Sequence, residues 1–169
     1  LANMGTVATI QDDYDSAMDY YQQSLERFEK VGYQHGMAYT TVNIGYTLMQ
    51  KGLYAETFPY YEKSLRLSLE MNDRRLRAFT EGNIGIVYYH QGEYKQALEY
   101  LEKASEGHQK IGFKHSLGEW YWSKAMCLYE LAFYTQALDW VEQAIEVSRA
   151  ISRTEILFKD QHLRKLSFI

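Results

Sequence analysis

Apolar and small residues recur along this chain at intervals of three and four positions, which is the spacing of one face of a helix. Thr41, Ile44, Gly45 and Leu48 form one such stripe. A glycine at position 52 then interrupts the pattern, and glycine can adopt the left-handed conformation that ends a helix. A second stripe follows at Tyr54, Thr57, Tyr61, Ser64 and Leu65. The pattern predicts a pair of helices, each about 17 residues or roughly 25 Å long, joined by a tight turn.

The same pair of stripes returns every 40 residues. The triplet Asn3-Met4-Gly5 recurs as Asn-Ile-Gly at positions 43–45 and 83–85, and in degenerate form as Ser-Lys-Ala at 123–125. A tyrosine keeps the same spacing at positions 14, 54, 94 and 134. Because one helical hairpin cannot bury its apolar stripe alone, neighbouring units must stack on each other. The registers predict the units 1–33 (with a truncated first helix), 34–73, 74–113 and 114–153, and then 154–169 as a capping helix or the start of a fifth unit.

The third unit carries a resemblance to a known family. Its turn reads Gly92-Glu93-Tyr94-Lys95-Gln96-Ala97-Leu98, preceded by Ile84-Gly85 and followed by Ala104, and it resembles the tetratricopeptide repeat. The likeness covers nearly the whole chain, in a long variant similar to the repeats of kinesin light chains, spindle-orientation adaptors and bacterial signalling proteins. It implies an all-α fold, a right-handed α-α superhelical solenoid of antiparallel helix pairs. It also implies a non-enzymatic scaffold that binds a protein or peptide in a concave groove lined by the first helices.

Composition and net charge further limit the fold class, the cellular compartment and the kind of partner that the sequence allows. The 169 residues include one proline, which favours helix, and one cysteine, which argues against a disulfide framework and favours a reducing compartment. We therefore expect a cytoplasmic protein. The net charge of −4 argues against a nucleic-acid partner. No apolar run approaches the roughly 18 residues of a membrane span, so no membrane partner is expected either.

No motif of catalysis emerges from the sequence. Glycine-rich phosphate loops are missing, and the five histidines do not follow the spacing of a metal site. Cys127 occupies the register of Val87, which predicts a buried structural thiol and not a nucleophile. We expect no enzymatic activity, no metal site and no cofactor.

Three asparagines occupy the interior of first helices, although asparagine is a poor helix former. They are Asn3, Asn43 and Asn83. In the family that the chain resembles, such a ladder lies in the groove and holds the main chain of a peptide, for which a carboxamide offers a donor and an acceptor. The alternative is structural: the same side chains would bond a neighbouring helix and set the register between units. The sequence leaves both interpretations open.

Other side chains share or flank the helix face of the asparagines and complete the predicted groove. They are Tyr39, Tyr46 and Gln50 in the second unit, Phe79, Ile86, Tyr89 and His90 in the third, and Glu119, Trp122, Ser123, Met126 and Glu130 in the fourth. The aromatic members would either form pockets for an anchor residue or belong to the core. The glutamates make the groove acidic toward the C-terminus. Because none of these positions is Lys or Arg, a clamp for a peptide carboxylate is not expected.

Two other functions compete with the peptide-binding scaffold. Both ends of the sequence look cut from a longer chain, which favours a regulatory or sensor segment of a larger bacterial signalling or transcription-regulating protein. Such a segment would contact a small ligand or an adjacent domain. The truncated first helix and the apolar residues Leu166, Phe168 and Ile169 would also leave surface uncovered, which predicts self-association through exposed repeat ends.

Overall fold

A computed structural model describes residues 1–151, which fold into eight α-helices. The helices are α1 Ala2–Ile10, α2 Tyr14–Val31, α3 Gln34–Gln50, α4 Tyr54–Glu70, α5 Arg74–His90, α6 Tyr94–Lys110, α7 Leu117–Glu130 and α8 Tyr134–Ala150. Most have 17 residues, and the predicted all-α architecture of paired helices is confirmed. None of the helices in this part of the chain is long and apolar enough to span a membrane. The predicted unit 154–169 lies outside the described residues, and the division of the chain into units stays a prediction.

Tight turns with a left-handed residue join the two helices of each pair. Gly52 and Gly92 have φ angles of 77° and 80°, which L side chains rarely adopt. Asp12 and Ala132 take the same conformation in the first and last pairs, with φ of 58° and 64°. The chain after each turn bonds back to the preceding helix; the amide of Leu53, for example, donates to the carbonyl of Leu48 at 3.0 Å. Every pair therefore turns in the same way, with or without glycine.

The helices of a pair approach closely where the first helix has a glycine. A Cβ atom on Gly45 would lie 2.5 Å from the ring of the buried Tyr61, and one on Gly85 would lie 2.7 Å from Leu101. Such distances are far shorter than van der Waals contact. The glycines of the repeated triplet therefore make room for a large side chain of the second helix.

Contacts between the helices show that the stack is curved. Each helix packs on the next along the chain, and α1 also contacts α3, α3 contacts α5, and α5 contacts α7. The even-numbered helices make no comparable contacts with each other within residues 1–151. The odd-numbered helices thus lie closer together and form the inner side of the stack.

A buried histidine joins three helices in the second half of the stack. The indole N–H of Trp120 in α7 donates to Nδ1 of His108 in α6 at 3.0 Å. Nε2 of the same ring lies 3.3 Å from the carbonyl oxygen of Arg75 in α5. Because Nδ1 accepts a hydrogen bond, Nε2 carries the proton and donates it to Arg75, so the ring is neutral. Burial lowers the pKa of His108, which also favours the neutral form.

Candidate functional site

An open groove of about 440 Å³ runs along the inner side of the stack. It is lined by side chains from α3, α5 and α7, together with the first residue of α4. The lining residues are Tyr46, Met49, Gln50, Tyr54, Ile86, Tyr89, His90, Glu119, Trp122, Ser123 and Met126. We call this surface the aromatic groove. Its size lies within the range of about 300–1,000 Å³ that is typical of ligand sites.

The 40-residue repeat explains why these side chains meet. Tyr46, Ile86 and Met126 hold the same register in three successive odd-numbered helices. Gln50 and His90 hold another shared register one helical turn later. Because these helices lie side by side, residues of equal register form rows across the inner side. Two such rows make up much of the aromatic groove.

Aromatic rings pack tightly at one end of the groove. The imidazole of His90 stacks on the ring of Tyr54, with 5.2 Å between centroids and 5° between planes. The ring of Tyr89 meets His90 edge-on at 5.4 Å. Partial burial lowers the pKa of His90 and so favours a neutral ring. Burial and the nearby negative charge of Glu130 raise the pKa of Tyr89, which keeps its hydroxyl protonated.

One lining residue of the aromatic groove is acidic. Glu119 lines it as a half-buried carboxylate, and none of its eleven lining residues is Lys or Arg. The carboxylate of Glu130 is close enough to act on the phenol of Tyr89. The cationic side chain at the edge of α3, Lys51, is engaged elsewhere, since its Nζ lies 2.8 Å from a carboxylate oxygen of Asp15. The increase in acidity toward the C-terminus stays a prediction, because Glu119 lines the groove and Glu130 does not.

A second depression, of about 390 Å³, lies toward the N-terminal end of the stack. Its lining includes amide, hydroxyl and aromatic groups, and we call it the polar depression. The lining residues are Ala2, Asn3, Thr6, Phe28, Tyr33, His35, Gly36, Tyr39, Thr40 and Asn43. Burial and the adjacent Asp73 raise the pKa of Tyr39.

The predicted site residues fall into three groups. The aromatic groove contains Tyr46, Gln50, Ile86, Tyr89, His90, Glu119, Trp122, Ser123 and Met126. The polar depression contains Asn3, Tyr39 and Asn43. Phe79, Asn83 and Glu130 line neither surface.

The three asparagines of the predicted ladder differ in their surroundings. Asn83 is only 2% exposed, and its side-chain amide donates to the carbonyl of Phe79 at 3.1 Å, one turn earlier in α5. Phe79 itself packs on Trp120, with 6.0 Å between ring centroids. Asn83 is therefore buried and bonded within its own helix and, among the described residues, not to a neighbouring one, and its role stays a prediction. Asn43 is half-buried and Asn3 is exposed, so the peptide-binding role of these two stays a prediction.

Two lining residues were not expected from the sequence: Met49 and Tyr54. Tyr54 is the repeated tyrosine of the turn, and its role in the groove depends on the stack with His90. No spacing rule connects those two residues.

A catalytic metal site needs several His, Cys, Asp or Glu side chains that meet in space. Over residues 1–151, no three His, Cys, Asp or Glu side chains converge as a metal site requires. Cys127 is fully buried, and burial raises its pKa to about 12. Its thiol therefore stays protonated at neutral pH and is a poor nucleophile.

Comparisons with solved structures show where this fold recurs. The apo form of RapI is 22% identical, with a TM-score of 0.87, and the match covers 99% of this chain and 61% of RapI. The Rap conjugation gene regulator of plasmid pLS20, solved with the Phr* peptide, is 17% identical with a TM-score of 0.90, over 98% of this chain and 45% of its own. Aspartyl phosphate phosphatase F from Bacillus subtilis is 17% identical with a TM-score of 0.83, over 90% and 40%. This chain thus spans about three fifths or less of these proteins, and at such identities the likeness shows the fold alone.

Sequence comparison identifies the family. The chain matches none of the curated proteins. Residues 1–70 and 36–110 match the family model described as tetratricopeptide repeat, and together these matches cover 110 of the 169 residues. The chain therefore belongs to the tetratricopeptide repeat family.

Proposed function

We propose that this chain is a non-enzymatic protein-interaction module that binds a peptide or a partner segment in the aromatic groove. The observation that carries the proposal is the groove itself, in which Tyr46, Ile86 and Trp122 from three different helices converge on one open surface. Membership of the tetratricopeptide repeat family supports it, and so does the plasmid pLS20 regulator of the same fold, whose structure contains a peptide. A single, buried cysteine favours a reducing compartment, and we propose a cytoplasmic location.

Binding would use two kinds of contact. Tyr46, Ile86 and Met126 offer an apolar row for the anchor side chain of a peptide, and such anchors supply most of the free energy of binding. The amides of Asn43 and Asn3 in the polar depression would pair with peptide main-chain groups, because a carboxamide both donates and accepts. A peptide that crosses both surfaces would lie extended along the inner side of the stack.

Selection from a displayed library of random peptides, with the 169-residue chain as bait, tests the proposal. Met126 suits mutation because it lines the groove and lies outside the buried core clusters. We expect Met126→Ala to weaken the binding of a selected peptide about five- to tenfold, which corresponds to roughly 1–1.4 kcal/mol. Fluorescence anisotropy of the labelled peptide measures the change.

The matched control is Leu138→Ala, because Leu138 is an exposed apolar side chain on α8 that lines no part of the groove. This variant should bind the peptide as the parent chain does. Failure to select any peptide, or equal effects of the two substitutions, would contradict the proposal. Far-UV circular dichroism and thermal unfolding establish that both variants keep the fold.

A second candidate function is a regulatory or sensor segment of a larger protein. The observation that favours it is length, since this chain spans 61% of RapI and 45% of the plasmid pLS20 regulator. In that case an adjacent domain or a small ligand would occupy the aromatic groove. Hydrogen exchange in a longer parent protein distinguishes the two functions, because an adjacent domain would protect α3, α5 and α7 more strongly there than in the 169-residue chain.

A further inference from the structure

We infer that the outer side of the stack carries a second binding site, for a segment of a partner protein that is rich in Asp and Glu. The site is a groove of about 380 Å³, formed by the ends of α4 and α6 and the start of α5. We call it the cationic groove, because Arg74, Arg77 and Lys110 are three of its eight lining residues. It shares no lining residue with the aromatic groove or the polar depression, so the inference goes beyond the proposed function.

The curvature of the stack opens this groove. Both α4 and α6 pack on α5, but within residues 1–151 they make no comparable contact with each other. The close approach of α6 to α5 occurs at Gly107, where an added Cβ atom would lie 2.8 Å from the Cβ atom of Ala78. The ends of the two outer helices therefore stand apart, and the start of α5 lies between them.

Two of the three cationic side chains are open to a ligand. Arg74 is exposed, and its side chain makes no hydrogen bond or ion pair with residues 1–151. The Nζ atom of Lys110 lies 3.0 Å from a carboxylate oxygen of Glu106, but these side chains are 72% and 52% exposed. An exposed pair of this kind contributes little stability, so Lys110 can pair with a bound carboxylate instead.

The third cation, Arg77, is positioned by a carboxylate of its own helix. Its Nε atom donates to Glu81 at 2.9 Å, and the side chain of Glu81 is only 9% exposed. This pair uses one of the five N–H donors of the guanidinium group and leaves the others for a ligand. Removal of Arg77 would leave a buried carboxylate without its partner, so this residue is kept unchanged in the test.

The acidic residue of the lining, Asp73, has partners outside the groove. Its Oδ1 atom accepts a hydrogen bond from the amide of Leu76 at 2.9 Å and thereby caps α5. Its Oδ2 atom lies 3.8 Å from Nδ1 of His35 in α3. Three cations against one engaged carboxylate make the lining positive, although the whole chain has a net charge of −4. Charge complementarity therefore favours an acidic partner at this groove.

A segment rich in Asp and Glu fits the groove better than a small inorganic anion. Arg74 and Arg77 come from the first turn of α5, whereas Lys110 is the last residue of α6, so the charges border the groove from two helices. Leu69 of α4 also lines it and is 59% exposed, which offers an apolar contact that phosphate cannot use. Arginine binds carboxylates through two parallel hydrogen bonds. An extended segment with carboxylates on both sides of an apolar residue uses all of these contacts.

The test measures the binding of a defined acidic peptide to the full 169-residue chain. The probe is a fluorescein-labelled decapeptide in which single Leu residues separate pairs of Glu, and the reference peptide has Gln in place of every Glu. Fluorescence anisotropy gives both affinities. We expect the acidic peptide to bind at least tenfold more tightly in about 50 mM salt, and the difference to shrink in about 300 mM salt because salt screens the charges.

Variants of the protein locate the contact. Arg74→Gln combined with Lys110→Gln should weaken the acidic peptide about tenfold and leave the neutral peptide nearly unaffected. The matched control is Arg66→Gln combined with Lys95→Gln, which removes the same charges from exposed positions on α4 and α6 outside the groove lining. This control should bind the acidic peptide as the parent chain does. Circular dichroism and melting curves show that each double variant is folded.

The outcomes separate this inference from the proposed function. Equal affinity of the parent chain for the acidic and neutral peptides, or equal losses in the two double variants, would overturn the inference. A loss of the acidic peptide in Met126→Ala would also overturn it, because the peptide would then lie in the aromatic groove. Binding of sodium phosphate that the Arg74→Gln, Lys110→Gln variant abolishes, without binding of the acidic peptide, would show a small-anion site instead. Peptides selected for the aromatic groove should bind this variant as they bind the parent chain, so either site can fail while the other stands.

Discussion

Two buried tyrosines of the same register differ in their hydrogen bonds. The hydroxyl of Tyr21 donates to Oγ1 of Thr6 at 3.2 Å and lies 3.5 Å from Oγ1 of Thr9, whereas the hydroxyl of Tyr61 has no hydrogen-bond partner among the described residues. A buried polar group without a partner costs roughly 1–3 kcal/mol, and a satisfied one contributes about 1 kcal/mol. We therefore expect Tyr61→Phe to leave the free energy of unfolding unchanged or to raise it, and Tyr21→Phe to lower it by about 1 kcal/mol. Urea unfolding of both variants measures the contrast.

Each variant is the control of the other, because both remove one oxygen from a fully buried ring that packs on a glycine, Gly5 or Gly45. Equal losses of stability in the two variants would contradict the prediction. The sequence alone predicts that both rings pack in the core, since they share a register. It does not predict the hydrogen bond, because that bond depends on Thr6, which is replaced by Tyr46 one repeat later.

At the scale of elements, His108 connects α5, α6 and α7 by hydrogen bonds. Because this histidine is buried, we expect the free energy of unfolding to depend on pH. Burial lowers the pKa of His108 in the folded chain, whereas the unfolded chain has the ordinary value of about 6.5. As the pH falls below about 6.5, the unfolded state takes up the proton first, so the free energy of unfolding decreases. We expect a loss on the order of 1 kcal/mol between pH 7.5 and 5.5, since one pKa unit corresponds to about 1.4 kcal/mol. Urea unfolding at the two pH values measures this loss.

The control is His108→Gln, whose amide can accept from Trp120 and donate to Arg75 without titrating. His90 also has a pKa lowered by burial, and it is present in both proteins, so the comparison isolates His108. We expect the variant to lose clearly less stability at pH 5.5 than the parent chain. An identical pH dependence of the two proteins would show that the histidine does not titrate on unfolding.

The helices were largely predictable from the sequence, and the side-chain hydrogen bonds between them were not. Helix pairs, turns and close glycine contacts follow from a pattern that returns every 40 residues. His108 and Trp120 each depart from that pattern, since Ser68 and Thr80 hold their registers one repeat earlier. Nothing in the sequence shows that these two departures are partners. Their contact depends on the packing of α6 against α7, which a repeat pattern does not specify.

At the scale of the whole molecule, the repeat pattern predicts which helices form the inner side of the stack. It does not predict which residues of those helices are exposed there. Nine of the predicted residues line the aromatic groove and three line the polar depression, because both surfaces draw most of their lining from odd-numbered helices. Asn83 holds the same register as Asn43 and is nevertheless buried. The difference arises because burial depends on neighbouring side chains, which vary from unit to unit while the register stays the same.

The first helix of the stack, α1, has an exposed apolar face. The predicted self-association of the chain can be tested at this face. Met4, Val7 and Ile10 follow each other at helical spacing on α1 and are 50%, 53% and 77% exposed. Because neighbouring helices of this fold cover such faces, we expect a second copy to bind here weakly, so that the mass rises with protein concentration. Light scattering over a concentration series measures this rise, which Val7→Lys should abolish and Leu69→Lys, on the exposed side of α4, should not. A monomer mass at every concentration would reject self-association and leave this face to other partners.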